Sequence, residues 1–403
     1  MTEAFTLTLS ADHLTPVRAY ACFRSHAPQQ SSFLFESLAP GQRWSIVGYR
    51  AMAESLYPPG AKSFSQIIDS MTVDPDAPEG FAEQLSQARI GFIAYEAVHS
   101  IHGIDAYEHQ GSLSRLLKSA TVAVFDHERH TVTIAGPSRG SVKRAAWEMV
   151  HGPETAQLTA PDPALFPEYV DPMVADEAFA ARLTRAQRYV AAGEVDRVVL
   201  ARTFITSLRN CEPFDVYRAL RLLLPAPYLY FIDFVETPFA PGMLLAGSAS
   251  GPTVIHAAGE IEPRDAFKAA FPSAAGTGAP QPRSLQIVRE LEHGTRGLFG
   301  GAVGYILPDG SMQMAAPLHT LSFQDGQIEI GGSVVIGPGF DGDSSRRDIE
   351  PVLAAVRSAQ DALAEREKAE EIMKARIAAK EKADREKAAS EPVASEPAAE
   401  EQA

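Results

Sequence analysis

The stretches AAGEVDRVVLARTF, residues 191–204, and PFDVYRALRLLLPAPYLYFIDF, residues 213–234, decide the fold class of this sequence. Val195–Ile205 is largely apolar and rich in β-branched residues, which is typical of a strand. Pro213–Leu224 carries apolar residues at helical spacing, and Tyr228–Phe234 is an aromatic run typical of a second strand. A strand, a helix and a strand in this order predict a chain of the α/β class.

Further strands and helices are predicted on both sides of these two stretches. Hydrophobic periodicity and turn residues mark each of them. The predicted elements are strands at Phe33–Leu38, Trp44–Tyr49 and Arg89–Val98, a strand pair within Ala120–Ile134, a helix over Asp176–Ala192 that ends at Gly193, a helix from Pro282 to Glu292, strands at Leu318–Phe323 and Gln327–Ile336, and a helix from Ser345 to about Leu363.

Three regions of the chain differ in composition. Residues 1–160 are predicted to form a sheet-rich N-terminal region and residues 161–363 a second, mixed region, because the Pro-rich stretch 152–172 is typical of a surface connection. Residues 364–403 are dominated by Glu, Lys, Arg and Ala, so we expect a charged, partly disordered tail. Opposite charges at helical spacing in Glu367–Lys387 favour a marginal helix within that tail.

Composition excludes several classes of partner. The 403 residues are 45% hydrophobic and carry a formal net charge of -15, with no basic block outside the tail, so neither nucleic acid nor a membrane surface is an expected partner. Met1–Leu14 lacks a secretory pattern, and a cytoplasmic location is expected. Cys22 and Cys211 lack neighbouring ligand residues and are interpreted as packed thiols. A small acidic substrate would need a local positive site.

The stretch from Ala191 to Phe234 is very similar to the middle of the large subunits of anthranilate synthase and aminodeoxychorismate synthase. Four further stretches resemble the same family in the same order: FLFES (33–37), GFIAYEAV (91–98), VFDHERHTVTI (124–134) and RELEHGTRGLFGGAVGYILPDGSM (289–312). The chain therefore resembles the chorismate-utilising enzymes, and anthranilate synthase component I in particular, from about Thr15 to Leu363. The resemblance implies an α/β fold of the α+β type, a sandwich of two antiparallel sheets packed with helices, with part of the C-terminal half deleted.

The resemblance also implies a site for chorismate, a dianion that the family holds with Mg²⁺, an Arg, a Lys and backbone N–H groups. The positions that match substrate-binding motifs are Gly259, Gly278, Ala279, Pro280, Phe299 and Gly332. The catalytic candidates are Arg197, where isochorismate synthases place a Lys base, and His319, at the position of the Arg that clamps the substrate. Arg is a poor base, and an ion-paired Arg at a strand end is the preferred interpretation of Arg197. Arg202 is predicted to lie on the same strand face and is interpreted in the same way.

Most charged positions of the family site differ in this chain. Glu260 replaces a Thr donor, Gln281 replaces a Lys, and His319 cannot form the bidentate fork that Arg offers to a carboxylate. The loop that offers backbone N–H groups to a carboxylate reads GGSV, residues 331–334. Several dozen residues, which include a metal-binding acid and a general acid/base Glu in the family, are missing after Arg264. We therefore expect no metal cofactor, unless the site is active and binds Mg²⁺.

Two functions remain open. The first is a non-catalytic relative, retained to bind a ligand such as chorismate or an aromatic amino acid, or to regulate. The second is a divergent anthranilate or aminodeoxychorismate synthase large subunit that obtains ammonia from a glutamine amidotransferase partner. Ser37, Pro227 and Tyr228 match the family's feedback-inhibitor segments and could line a small-molecule pocket, although simple packing between the layers is at least as favoured.

Overall fold

The computed structural model describes residues 4–37, 43–58, 61–69, 71, 73–104, 114–153, 158, 171–208, 212–224, 226–238, 240–249, 253–255 and 261–390. The predicted boundary between residues 160 and 161 lies outside these ranges, as do Gly259 and Cys211.

The described residues contain 18 strands. In chain order they are β1 (Phe5–Ser10), β2 (Ser32–Ser37), β3 (Trp44–Tyr49), β4 (Ala53–Tyr57), β5 (Arg89–Ile93), β6 (Ser114–Lys118), β7 (Thr121–Asp126), β8 (Thr131–Gly136), β9 (Asp171–Pro172), β10 (Arg197–Ser207), β11 (Tyr228–Phe234), β12 (Met243–Ala249), β13 (Thr253–Ile255), β14 (Gly278–Ala279), β15 (Ala302–Ile306), β16 (Met312–Ala315), β17 (Pro317–Gln324) and β18 (Gln327–Ile336).

The described helices lie between single strands or groups of strands. They are α1 (Pro16–His26), α2 (Ala61–Asp69), α3 (Phe81–Leu85), α4 (Val98–His102), α5 (Arg139–Glu148), α6 (Asp176–Ala191), α7 (Pro213–Leu223), α8 (Pro263–Ala270), α9 (Ala274–Thr277), α10 (Gln281–Leu291) and α11 (Ser345–Ser390), and a short 3₁₀ helix spans Tyr95–Ala97.

Two antiparallel sheets carry the fold. Among the described residues the larger sheet has 12 strands in the order β1-β8-β7-β3-β2-β11-β12-β17-β18-β10-β14, with β9 paired to β10, and the smaller has 6 strands in the order β13-β16-β15-β5-β6-β4. The junction of β2 with β11 joins strands from the two halves of the chain into one continuous sheet. This architecture confirms the predicted sandwich of antiparallel sheets packed with helices.

The core has three parts: one on the outer face of the larger sheet, one between the two sheets, and one beneath α6 and α10. Helices α1, α5, α7 and α11 pack on the outer face. An aromatic layer that includes Phe35, Phe92, Tyr228 and Tyr305 fills the space between the two sheets. Residues of α6 and α10 cover β10 and the C-terminal end of β18. Burial of such rings contributes most of the stabilisation of a sandwich of this kind.

The predicted strand Arg89–Val98 needs correction. Only Arg89–Ile93 of the predicted strand Arg89–Val98 is a strand, because the chain turns into helix at Tyr95. The carboxylate of Glu96 accepts hydrogen bonds from the backbone N–H groups of Arg296 (2.7 Å) and Gly297 (3.2 Å), and these contacts hold the helical turn.

The last helix is longer than predicted. It continues past Leu363 to Ser390, and all of residues 367–382 are exposed. Arg366 is ion-paired with Asp215 of α7 at 2.7 Å where the helix leaves the core. Of the helices described, none has the combined length and apolarity required to cross a membrane.

Candidate functional site

His319 lies in a small polar network on the outer face of the larger sheet. Its Nδ1 is hydrogen-bonded to Ser248 Oγ on the neighbouring strand at 2.9 Å, and its Nε2 is 3.5 Å from Asp348 Oδ1. Asp348 belongs to the first turns of α11, and its Oδ2 accepts a hydrogen bond of 3.0 Å from the Ser333 N–H. The network therefore holds a carboxylate of the protein between an imidazole and a backbone donor.

Helix α11 lies directly on the strand at Gly332. A Cβ atom on Gly332 would be 2.7 Å from Ile349 Cγ2 and 3.4 Å from the Ser345 carbonyl oxygen. Residues 331–334, which match a loop in the family, lie within the strand β18. The glycine at this position therefore permits close packing of the helix, and the neighbouring Ser333 N–H is already bonded to Asp348.

Arg197 begins β10 and is exposed, and it makes no ion pair with any residue that the structure describes, so the predicted ion pair is not found among these residues. Ala279 is its partner in the β10–β14 pairing. Gly278 has φ +123°, and a Cβ there would be 2.3 Å from the Arg197 carbonyl oxygen. Pro280 follows as the residue before α10, and Gln281 Nε2 donates a 2.7 Å hydrogen bond to a loop carbonyl. These motif residues hold the end of β10 in place.

Arg202 does not resemble Arg197, and the prediction that it shares the strand face is wrong. Side chains five residues apart on a strand project from opposite faces. The guanidinium of Arg202 is buried, and it donates to Asp343 (2.7 Å) and Ser345 (3.2 Å) and is also ion-paired with Asp176. This cation is therefore a structural anchor for the start of α11.

Phe299 is buried near Gly331, where an added Cβ would be 3.5 Å from the Phe299 Cβ. Of the motif positions, Gly278, Ala279 and Arg197 thus lie together, and Phe299 lies beside β18 on the inner face. His319 lies near Gly332 on the opposite face.

The residues near His319 do not fit Mg²⁺. Nowhere in the described ranges do three His, Cys, Asp or Glu side chains converge as metal ligands. The two carboxylates at the start of α11 are engaged, Asp343 with Arg202 and Ser345, and Asp348 with Ser333 and His319. Mg²⁺ keeps several of its waters and takes one or two carboxylates, so the cation would have to break these contacts in order to bind here.

Ser37 and Tyr228 lie opposite each other in the pairing of β2 with β11, while Pro227 is exposed just before the strand. Both hydroxyls are buried, and neither has a hydrogen-bond partner among the described residues. Burial also raises the pKa of the Tyr228 phenol well above its ordinary value. The rings of Phe35 and Trp44 lie 5.8 and 6.3 Å from the Tyr228 ring, centroid to centroid.

A cleft of about 360 Å³ opens between the two sheets, on the inner face of β10, β12, β17 and β18. No local pattern in the sequence indicates this cleft, because its walls come from strands far apart in the chain. Sequence reasoning also missed Asp348. Its place within SSRRDIE, an acidic residue in the first turns of a predicted helix, is the feature of the sequence that could have identified it.

This chain is similar to proteins of a known family. The model of the family described as chorismate binding enzyme matches residues 30–240 and 255–338. Anthranilate synthase component 1 of Streptomyces coelicolor is 25% identical over 459 residues, covering 87% of this chain and 88% of the relative, and that of Thermus thermophilus is 25% identical over 437 residues, covering 81% and 92%. Both alignments are longer than 403 residues, so they place gaps in this chain.

Among solved structures, anthranilate synthase component I from Streptococcus pneumoniae TIGR4 superposes with a TM-score of 0.61 at 17% identity, covering 80% of this chain and 93% of that chain. At this identity the likeness shows the fold alone.

Proposed function

Because this chain belongs to the family of chorismate binding enzymes, we propose that it is an anthranilate synthase component I-like protein without chorismate lyase activity, retained to bind a ligand or to regulate. The position of Asp348 carries this proposal. Its carboxylate lies beside His319, which stands where the family clamps the substrate with Arg, and accepts from the Ser333 N–H, within the segment that matches the family's carboxylate-binding loop.

Electrostatics explains why this arrangement opposes chorismate. A carboxylate brought into a closed site loses several kcal/mol of hydration unless cations and donors replace the water. Here a backbone donor is already used by Asp348, and the added charge of Asp348 would repel a substrate carboxylate placed nearby. Two like charges about 4 Å apart repel by about 4 kcal/mol at an effective dielectric constant of about 20.

An activity assay tests this proposal. Purified full-length protein is mixed with chorismate, Mg²⁺ and ammonium, and anthranilate is followed by its fluorescence. We expect no rate above the protein-free reaction. Turnover that disappears in the His319→Ala or the Arg197→Ala variant would overturn the proposal, whereas turnover that survives both changes indicates a contaminating enzyme.

The ligand-binding half of the proposal is supported by the aromatic layer between the sheets. The buried hydroxyls of Ser37 and Tyr228 lack partners, and an unsatisfied buried hydroxyl costs about 1–3 kcal/mol. An aromatic amino acid could satisfy them and pack on the surrounding rings. Calorimetry with tryptophan and with chorismate tests this, and Ser37→Ala should weaken any binding of tryptophan while leaving the fold intact.

The second candidate function is a divergent chorismate-utilising enzyme with a glutamine amidotransferase partner. The observation in its favour is Arg197, an exposed cation without an ion pair among the described residues, next to Gly278 and Ala279. In the same assay this function predicts turnover that falls in Arg197→Ala. Replacing ammonium with glutamine plus an amidotransferase subunit would then identify the nitrogen source.

A further inference from the structure

We propose that the cleft between the two sheets is a binding site for a small organic cation with a compact apolar body, such as an arylalkyl amine. The cleft lies on the opposite face of the larger sheet from His319, because Thr320, which lines it, is the next residue on β17. Its volume of about 360 Å³ falls within the range of roughly 300–1,000 Å³ that is usual for small-molecule pockets.

The floor of the cleft carries free hydroxyl groups on adjacent strands. Thr203 of β10 and Thr320 of β17 are both register partners of Gly331 on the strand between them. Thr320 is only 7% exposed, yet neither hydroxyl has a hydrogen-bond partner among the described residues. A Cβ on Gly331 would lie 2.2 Å from Thr320 Oγ1, so the glycine leaves this hydroxyl open to the cleft. A ligand with a hydrogen-bonding group would satisfy it.

The positive charges that line the cleft are already neutralised. Arg115 is only 2% exposed and forms a bidentate ion pair with Glu54, in which Nη2 lies 3.2 Å from Oε2. Arg296 is likewise buried, and its Nε lies 2.7 Å from Glu292 Oε2. Each pair sums to zero charge, so neither arginine offers an uncompensated cation to an acidic ligand.

The remaining charge of the cleft is negative. Glu329 of β18 lines it and is exposed, and it makes no ion pair with a described residue. Its register partner on β17 is Ser322, whose hydroxyl adds another acceptor at the same level of the sheet. The charged and polar groups together therefore favour an ammonium group over a carboxylate or phosphate.

The rest of the lining is apolar and sets the shape of the ligand. Met173, Met243, Leu245 and Leu298 surround the polar floor, and Phe92 closes the side that belongs to the smaller sheet. Methionine side chains adapt to irregular shapes and contact aromatic rings favourably. A compact aromatic or branched aliphatic body, attached to an amine, matches this combination.

Three probes with the same body and different charge test the proposal: phenethylamine, 2-phenylethanol and phenylacetate. Each is titrated into the full-length protein by ligand-observed NMR and calorimetry. We expect phenethylamine to bind most tightly and phenylacetate least. Glu329→Gln should weaken phenethylamine about 5- to 10-fold and leave 2-phenylethanol unchanged, whereas Glu177→Gln, an exposed acid on α6 outside the cleft, should change neither.

The hydroxyl floor is tested separately. Thr320→Val should weaken both phenethylamine and 2-phenylethanol, and Thr203→Val provides the same test if the first variant unfolds at a lower temperature. Equal affinity for the three probes, no binding of phenethylamine, or phenethylamine binding that is insensitive to Glu329→Gln would each overturn the proposal. None of these measurements depends on chorismate turnover, so they test ligand binding in the cleft independently of the proposed absence of lyase activity.

Discussion

The network around His319 makes a quantitative prediction about anion binding. Replacing Asp348 with Asn removes one negative charge, and replacing His319 with Arg adds a permanent positive charge with a bidentate fork. Each change shifts the energy of a carboxylate about 4 Å away by about 4 kcal/mol at an effective dielectric constant of about 20. The His319 and Asp348 side chains are 20% and 32% exposed, so solvent screening reduces each effect to about 1–2 kcal/mol.

These energies correspond to roughly 5- to 30-fold tighter chorismate binding for Asp348→Asn alone, since about 1.4 kcal/mol is tenfold. His319→Arg alone should gain less, because the new guanidinium would pair with Asp348 instead of the ligand. The double variant should gain more than the product of the two single changes. Such non-additivity is expected only for residues that interact directly.

Calorimetry with chorismate, at one fixed salt concentration, measures the dissociation constant of each variant. Asp361→Asn is the matched control, because Asp361 is an exposed acid on the same helix, paired with Arg357 at 3.2 Å and away from the network. The reasoning fails if chorismate binds the unmodified protein as tightly as the double variant. It also fails if the two substitutions are strictly additive.

Three further predictions concern stability. Arg202→Met should destabilise the fold by about 2–3 kcal/mol in denaturant unfolding, because two carboxylates lose a buried cation but remain partly exposed to water. Gly278→Ala should cost about 1–3 kcal/mol, since it places a side chain at φ +123° against a carbonyl oxygen; an unchanged midpoint would contradict the close approach. Burial raises the pKa of the Glu96 carboxyl, so the native state keeps its proton to higher pH than the unfolded state does, and the stability from this group is lost as pH rises above the ordinary carboxyl range. The melting temperature of Glu96→Gln relative to the unmodified protein should therefore increase from pH 4 to pH 7, and a pH-independent difference would refute this.

Strands with strong local signals could be predicted from the sequence. Tyr228–Phe234 was predicted with its observed bounds, because the run of aromatic and β-branched residues begins directly after the Pro-rich segment 225–227. Gln327–Ile336 was also predicted with its observed bounds. In contrast, the end of α11 was predicted too early, since charged pairs at helical spacing indicate only a marginal helix when considered alone.

The arrangement of the candidate site could not be predicted in the same way. Ser248, His319 and Asp348 contact one another across strands and a helix that are far apart in sequence, and no local pattern encodes that contact. The error at Arg202 has a simpler cause. An odd separation from Arg197 on one strand already places the two side chains on opposite faces, and the sequence contained that information.

The alternation of side chains on β17 separates two sites with different chemistry. His319 points to the helical face, where Asp348 closes the network, and Thr320 points to the cleft between the sheets. Because a sheet holds these faces apart, a change in charge at Asp348 should leave phenethylamine binding in the cleft unaltered. Combining Asp348→Asn with Glu329→Gln should therefore give additive effects on both ligands. A coupling greater than about 0.5 kcal/mol between them would mean that the two faces share one site, and the separate assignment of the cleft would be wrong.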